Sequence, residues 1–246
     1  MTPPDLVLVH GGAHAADCWD PTIAELRRQE PELRVLAVDL PGRRNKPGNL
    51  ATATIAEWVH SVVADIEQAR LGDVVIVGHS MAGVTVPGVV AKLGAGRVRE
   101  MVLVAAFVPP QDAAIIDTLG GFLGFYARHA VKFAPRTVTL PAVLARLGFC
   151  TGMTHAQRSF TLSRIYPESF GVPCEPVDRS ALPGEVPRSW VLTLNDRALS
   201  VDSQRASMAA LGGVQTMIAV DACHDVMVSH PERLAEILIQ RCRARR

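Results

Sequence analysis

The chain has 246 residues, 48% hydrophobic and 20% charged, which suits one compact domain with a large core, with or without an inserted lid, and requires no second independent domain. A net charge of +1, with acids and bases interspersed, gives no pull towards nucleic acid or an anionic membrane, and the basic ending Arg241, Arg243, Arg245 and Arg246 reads as a solvated helix end. The first apolar run, residues 6–9, is too short for a signal peptide and has no basic leader, and no segment approaches a membrane span. Cys18, Cys150, Cys174, Cys223 and Cys242 lack paired spacing or histidines at metal-site intervals, so the expectation is a cytoplasmic protein with reduced thiols and no zinc site.

Strand and helix signals then alternate along the chain. Residues 6–9 form a short apolar strand running into His10, Gly11 and Gly12, and residues 18–29 read as a helix with its charges on one face. Residues 34–38 are the next strand, closed by the turn Asp39-Leu40-Pro41-Gly42 and followed by a polar loop over 43–49. Thr54 and Glu57 form a capping box for a helix in which Ile55, Trp58, Val59, Val62 and Ile66 recur at helical spacing. The run Val74-Val-Ile-Val-Gly78 is a buried strand that stops abruptly, and the small apolar residues over 81–93 turn it straight into a helix. Residues 101–105 are another strand, feeding Phe107-Val-Pro-Pro.

From 109 to 187 the alternation breaks. This stretch holds nine of the seventeen prolines, several short helical patterns, a capping box at Thr154 and Gln157, and no convincing strand. It reads as a helical lid walling the space above the sheet, because loops this long are usually functional; the alternative is a subdomain that merely covers the sheet. Alternation resumes with a strand at 190–194, a helix at 201–211, a strand at 214–220 and a closing helix at 231–240 with Pro231 in its first turn. Strands this apolar, separated by helices, are buried on both faces. The expected architecture is α/β: about six parallel strands with helices on both faces, one domain over 1–246, its core formed by 1–108 and 188–246 and its lid, 109–187, inserted before the last two strands.

In such sheets function gathers outside the carboxyl ends of the strands, where His10 to Gly12, Ser80 and Phe107 all emerge. Ser80 sits in Gly78-His79-Ser80-Met81-Ala82-Gly83, close to the Gly-x-Ser-x-Gly nucleophile elbow, with Ala82 where the second glycine is usual and Gly83 directly after it. Read without the rest of the chain, the same residues also suit an ordinary strand-to-helix junction with Ser80 as its N-cap. A serine hydroxyl needs a base poised near neutral pH and a group that holds this base in one tautomer. Asp196, just past a strand end, and His224, just past the last strand, follow Ser80 in the chain order this elbow type requires. Asp221 and Asp225 compete for the acid role but are too close to His224 in sequence to orient its ring from behind, and His230 reads as the entry to the last helix. His10, His14 and His79 flank the site and shape it, and His60 belongs to a helix surface. The oxyanion formed by attack on a carbonyl takes its donors from the N–H of Met81, at the helix start, and of Gly12, where glycine lets the backbone approach closely. Lid side chains Phe122, Phe125, Tyr126, Phe133, Leu144, Phe149 and Phe160 would make the pocket mainly apolar.

These features resemble the α/β-hydrolase superfamily over nearly the whole chain. Leu6-Val-Leu-Val-His-Gly-Gly-Ala-His14 with Cys18-Trp19, Val77-Gly-His-Ser-Met-Ala-Gly83, Ala105-Ala-Phe-Val-Pro109 and the ending around His224 are similar to the branch that contains plant methyl esterases, hydroxynitrile lyases and many bacterial relatives. The resemblance implies a cofactor-free ester hydrolase with Ser80 as nucleophile, His224 as base, Asp196 as its orienter, Gly12 and Met81 as oxyanion donors, and a small-molecule ester as substrate. Lyases of that branch carry threonine after the first-loop histidine and lysine after the catalytic one, where this chain has Gly11 and Asp225. A third reading, from another class, is a hydrolase-shaped small-molecule binding protein without turnover.

Overall fold

The computed structural model describes residues 3–44, 46–119 and 136–244. Phe122, Phe125, Tyr126 and Phe133, expected in the lid pocket, and Arg245 and Arg246 of the basic ending lie outside the described residues.

Six strands, β1 (Asp5–Val9), β2 (Val35–Val38), β3 (Val74–His79), β4 (Val98–Val104), β7 (Arg188–Thr193) and β8 (Thr216–Val220), form one sheet in the order β2-β1-β3-β4-β7-β8. Every pairing in it is parallel, for example Leu6 against Val35 and Val9 against Gly78. Both faces of the sheet are covered over its four central strands, as their unbroken apolar runs require, while the edge strand β8 leaves Met217 exposed. Val7, Val9, Val74, Ile76, Met101, Leu103 and Trp190 pack on one side with Trp58, Val59, Val62 and Ile66 of the helix Ile55–Gln68 and with Val86, Val89 and Val90 of the helix Val86–Leu93. Leu6, Leu8, Val75, Val77, Val102, Val104 and Val191 pack on the other with Leu26 of the helix Asp20–Gln29 and Leu234, Ile237 and Leu238 of the helix Pro231–Arg243.

The strand order reverses at β1, because the chain leaves it for β2 on one side while β3 lies on the other. The crevice outside the ends of β1 and β3 is therefore the switch point where such sheets bind ligands. It is bounded by the loops that carry Gly12 and Ser80.

Between β4 and β7 lies the helical insertion, with helices Ile115–Thr118, Ala142–Phe149 and His155–Leu162 among the described residues. It also holds two-residue strands that the sequence did not announce, β5 (Thr137–Val138) and β6 (Glu168–Ser169), paired antiparallel. Strands this short carry too few residues for any alternation to register. The expected capping box at Thr154 is complete, with Gln157 N–H donating to Thr154 Oγ1 at 3.3 Å and Thr154 N–H to Gln157 Oε1 at 2.9 Å. At Thr54 only one arm forms, from Glu57 N–H at 3.1 Å, and the N–H of Ile55 is instead capped by Glu175 of the insertion at 2.8 Å. No helix among the described residues is long and apolar enough to cross a membrane, and all five cysteines are free thiols.

Candidate active site

The run that opens at Val74 does not turn directly into an α-helix. Ser80–Val84 form a 3-10 turn, and the α-helix begins at Val86 with Pro87 in its first turn. Ser80 takes φ +53°, a left-handed conformation that costs a non-glycine residue about 1–3 kcal/mol and needs surroundings that enforce it. Those surroundings are visible. Ser80 C=O accepts from Phe107 N–H at 2.9 Å, which ties the elbow to the segment leaving β4. A Cβ at Gly83 would meet the Phe107 carbonyl oxygen at 2.3 Å, so the position that must be glycine is 83, while Ala82 fits with 1% exposure.

His224 and Asp196 arrive from the ends of β8 and β7. Their loops are held together by Asn195 N–H donating to Ala222 C=O at 2.9 Å and by a side-chain hydrogen bond between Asn195 and Asp221. The Ser80 hydroxyl lies 2.9 Å from His224 Nε2, and His224 Nδ1 lies 2.7 Å from Asp196 Oδ2. Asp196 Oδ2 also accepts from the Thr193 hydroxyl at 2.9 Å, and its Oδ1 accepts from the N–H groups of Ala198 and Leu199 at 2.8 and 2.7 Å. A carboxylate with this many donors is fixed in place and stays ionised. Burial favours its neutral form, but the charge and hydrogen bond of His224 outweigh that and leave its pKa lowered. Burial likewise disfavours the His224 imidazolium, yet Asp196 reverses the balance and the pKa is raised. The rival residues are engaged elsewhere: Asp221 with Asn195, Asp225 with His14 and His230 with Ser229.

The loop after β1 is pressed against this group. A Cβ at Gly11 would lie 2.6 Å from Ser80 Cβ, so only glycine permits that approach. Leu40 N–H donates to His10 Nε2 at 3.1 Å, which puts the ring proton on Nδ1, 2.8 Å from Gly11 C=O. Burial and the charge of Arg43 hold the His10 pKa well below its usual value, so the ring stays neutral. In a planar trans peptide the Gly11 C=O and Gly12 N–H point in opposite directions, so His10 sets the direction of the Gly12 N–H. His14 Nδ1 lies 2.7 Å from Gly12 C=O, Glu168 Oε2 accepts from Ala13 N–H at 2.8 Å, Tyr166 N–H donates to Ala13 C=O at 2.9 Å, and Arg43 Nε donates to His14 C=O at 3.1 Å. Gly12 N–H itself has no partner among the described residues, and Met81 N–H stands in the first turn at the elbow, where helical turns leave donors free. Arg43 and Glu168, a buried ion pair, and Tyr166 did not stand out in the sequence, because each sits in a polar stretch whose residue types equally suit a solvated surface.

Of the described lid candidates, Phe149 stacks on His224, with ring centroids 5.2 Å apart and planes at 25°, whereas Leu144 is 54% exposed and Phe160 carries the Arg164 guanidinium over its ring. His60 is exposed on its helix, as expected, and beside it a cavity of about 470 Å³ runs between two helices and residues 175–181, lined by neither Ser80 nor His224. His79, His224 and Asp225 bring donor atoms within 4.8 Å of one another, the geometry of a metal cluster, but His224 spends both ring nitrogens on Ser80 and Asp196, and His79 spends Nε2 on His224 C=O at 3.0 Å. Too few free donors remain there to hold an ion.

The sequence matches the alpha/beta hydrolase family over residues 6–237. It is 26% identical to the pyrethroid hydrolase of Sphingobium wenxiniae over 97% of this chain and 87% of that protein, and 26% identical to esterase PIR7B of Oryza sativa over 95% and 94%. Among solved structures, an extracellular alpha/beta-hydrolase from a Paenibacillus species superimposes with a TM-score of 0.85 at 23% identity, covering 97% of this chain and 98% of that one. A methylesterase from Arabidopsis superimposes with a TM-score of 0.75 at 18% identity, covering 96% and 98%. With a parallel six-stranded sheet, a serine at the turn after β3 and a match that runs through all the strands, the chain belongs to the α/β-hydrolase family.

Proposed function

We propose that the chain is a serine esterase that cleaves a small, moderately hydrophobic carboxylic ester through an acyl-enzyme on Ser80. The observation that carries this reading is the continuous hydrogen-bonded line from Ser80 through His224 to Asp196, at 2.9 and 2.7 Å. His224 Nδ1–H donates to the ionised Asp196, which leaves the Nε2 lone pair facing the serine hydroxyl. As Ser80 Oγ attacks the ester carbonyl, its proton passes to Nε2, and the carbonyl oxygen gains a negative charge that accepts hydrogen bonds from Gly12 N–H and Met81 N–H. The imidazolium then returns the proton to the departing alcohol, and a water molecule repeats the sequence to release the acid. One such oxyanion donor is worth about 3 kcal/mol in the transition state.

Relatives named as hydrolases and esterases support the ester as the bond cleaved. The insertion over 109–187 acts as the lid, and Phe149, stacked on His224, makes the wall next to the scissile bond apolar. A lyase reading is disfavoured by Asp225, an anion paired with His14 in the place where a lyase needs a cation. The test is a panel of chromogenic esters of graded acyl length with wild type and Ser80→Ala, together with fluorophosphonate labelling. Turnover and labelling are expected in wild type and absent in the variant; a wild type that does neither would favour the non-catalytic binding protein.

A further inference from the structure

His14 has acceptors at both ends of its ring. Nδ1 lies 2.7 Å from Gly12 C=O, and Nε2 lies 2.9 Å from Asp225 Oδ2. A carbonyl oxygen and a carboxylate offer no proton, so both contacts are attractive only when both ring nitrogens carry one. A neutral ring would leave one lone pair facing an oxygen at hydrogen-bond distance. His14 is 2% exposed and Asp225 fully buried, so a lone charge on either would be costly and a pair is required.

We propose that His14 is a positioning residue, held as an imidazolium by Asp225, whose Nδ1–H fixes the Gly12 carbonyl and so keeps the oxyanion loop in register with His224. The inference rests on the esterase reading above. Asp225 is the residue directly after His224, and Gly12 carries the proposed oxyanion donor, so the ion pair is a strap between the base and the donor. The strap bridges residues 211 positions apart in the chain. With His10 holding Gly11 C=O and His14 holding Gly12 C=O, two consecutive peptides of a glycine-rich loop are each fixed by a ring N–H.

The charged surroundings agree. Asp225 and the more distant Glu168 favour the His14 cation against burial and leave its pKa raised, while the pKa of Asp225, opposed by burial, is lowered by His14. His79 meets the ring edge-on at 5.9 Å between centroids and stays neutral, because burial and the nearby His224 hold its pKa at about 3. His10 is neutral as well, and Arg43, the remaining cation, turns its Nε to His14 C=O and a terminal nitrogen to Glu168. Cys18 and Cys150, which also feel Asp225, remain thiols, with burial pushing Cys150 up to about 11.

The experiment has two readouts. In protein labelled with ¹⁵N-histidine, long-range proton–nitrogen correlation at neutral pH should find both His14 nitrogens protonated, with His14→Gln identifying the signals and Asp225→Asn losing one of the two protons. In ester turnover, His14→Gln and Asp225→Leu should lower kcat by about tenfold to a hundredfold with KM nearly constant, the signature of a misplaced donor rather than lost substrate contacts. Asp225→Asn should keep part of that activity, because its amide can donate to Nε2 while Nδ1–H remains on Gly12. A single ring proton in wild type, or His14→Gln with kcat within twofold of wild type, overturns the inference, as does a loss confined to KM. If a His14 variant does not fold, the wild-type and Asp225→Asn spectra still decide. A wild type that neither turns over esters nor labels at Ser80 refutes the esterase reading instead, and leaves the ring-proton result to judge the ion pair by itself.

Discussion

Replacing Asp196 with asparagine tests the proposed arrangement most directly, because the structure restricts how the amide can sit. Asp196 accepts from Ala198 and Leu199 N–H on Oδ1 and from Thr193 and His224 on Oδ2. If the amide oxygen keeps the two backbone donors, the amide nitrogen faces His224 Nδ1. The ring must then accept there, its proton moves to Nε2, and it can no longer take a proton from Ser80. That wrong tautomer costs about 10⁴-fold in kcat. If the amide flips, His224 keeps the right tautomer, but an N–H₂ group confronts the buried N–H of Leu199 and the half-buried N–H of Ala198. Leaving each unsatisfied costs about 1–3 kcal/mol, roughly 2–6 kcal/mol together, so the competent form falls to between about one part in 30 and one in 10⁴. Both routes lead to a kcat loss of at least about 30-fold with KM little changed, read by steady-state hydrolysis of a chromogenic ester and by slower fluorophosphonate labelling of Ser80. A folded Asp196→Asn protein with kcat within threefold of wild type would show that Asp196 does not set the tautomer of His224.

Other outcomes follow from the same geometry. Gly11→Ala places a methyl 2.6 Å from Ser80 Cβ, so the loop must back away, and kcat should fall by about tenfold to a hundredfold; unchanged kinetics would contradict the close approach. Because His224 must be neutral to act as base and Asp196 raises its pKa against the effect of burial, kcat/KM should decline as pH falls through a midpoint above 6.5, and a lower midpoint would count against the pairing. Arg43→Met leaves Glu168 without its ion-pair partner and should cost about 3–5 kcal/mol in urea unfolding, with Glu168→Gln in the same chain recovering part of it; additive losses would refute the coupling. His79, buried and with its pKa lowered to about 3, refuses the proton that the unfolded chain accepts below about 6.5, so it should make stability fall by about 1.4 kcal/mol per pH unit on acidification, and His79→Gln should remove that slope between pH 6 and 5.

What the sequence disclosed and what it hid divide along a physical line. The four central strands were legible because they are buried on both faces, so Val74-Val-Ile-Val and its counterparts read as continuous apolar runs, while the edge strands β2 and β8 are only partly buried. Ser80, Asp196 and His224 were legible as positions just past strand ends in a fixed order, and the structure brings them within hydrogen-bond distance. The boundaries were less so: the α-helix after the elbow starts at Val86 rather than Met81, because the left-handed Ser80 first closes a 3-10 turn, a consequence of backbone strain that residue types do not encode. The support around the loop after β1 was not legible at all. Arg43 opens a polar run and Glu168 belongs to a two-residue strand 125 positions away, and nothing local distinguishes such a buried pair from two solvated charges.

That division explains why the loop after β1 needs so many remote partners. Gly11 lets the backbone approach Ser80, but glycine loses more conformational freedom on folding than any other residue, so an unsupported loop with two glycines would sample many orientations of the Gly12 N–H. A regular element would impose one orientation through its own hydrogen bonds, yet it would consume the N–H that the proposed oxyanion role leaves free. The loop's own rings and groups from elsewhere in the fold resolve the conflict: His10 and His14 take the carbonyls of Gly11 and Gly12, the remote Tyr166 and Arg43 take those of Ala13 and His14, and Glu168 takes the N–H of Ala13. The Gly12 N–H is thereby fixed in direction without being used. The loop's rigidity is therefore a property of the tertiary structure, and it should be the first feature lost when any one of these contacts is removed from an otherwise intact sheet.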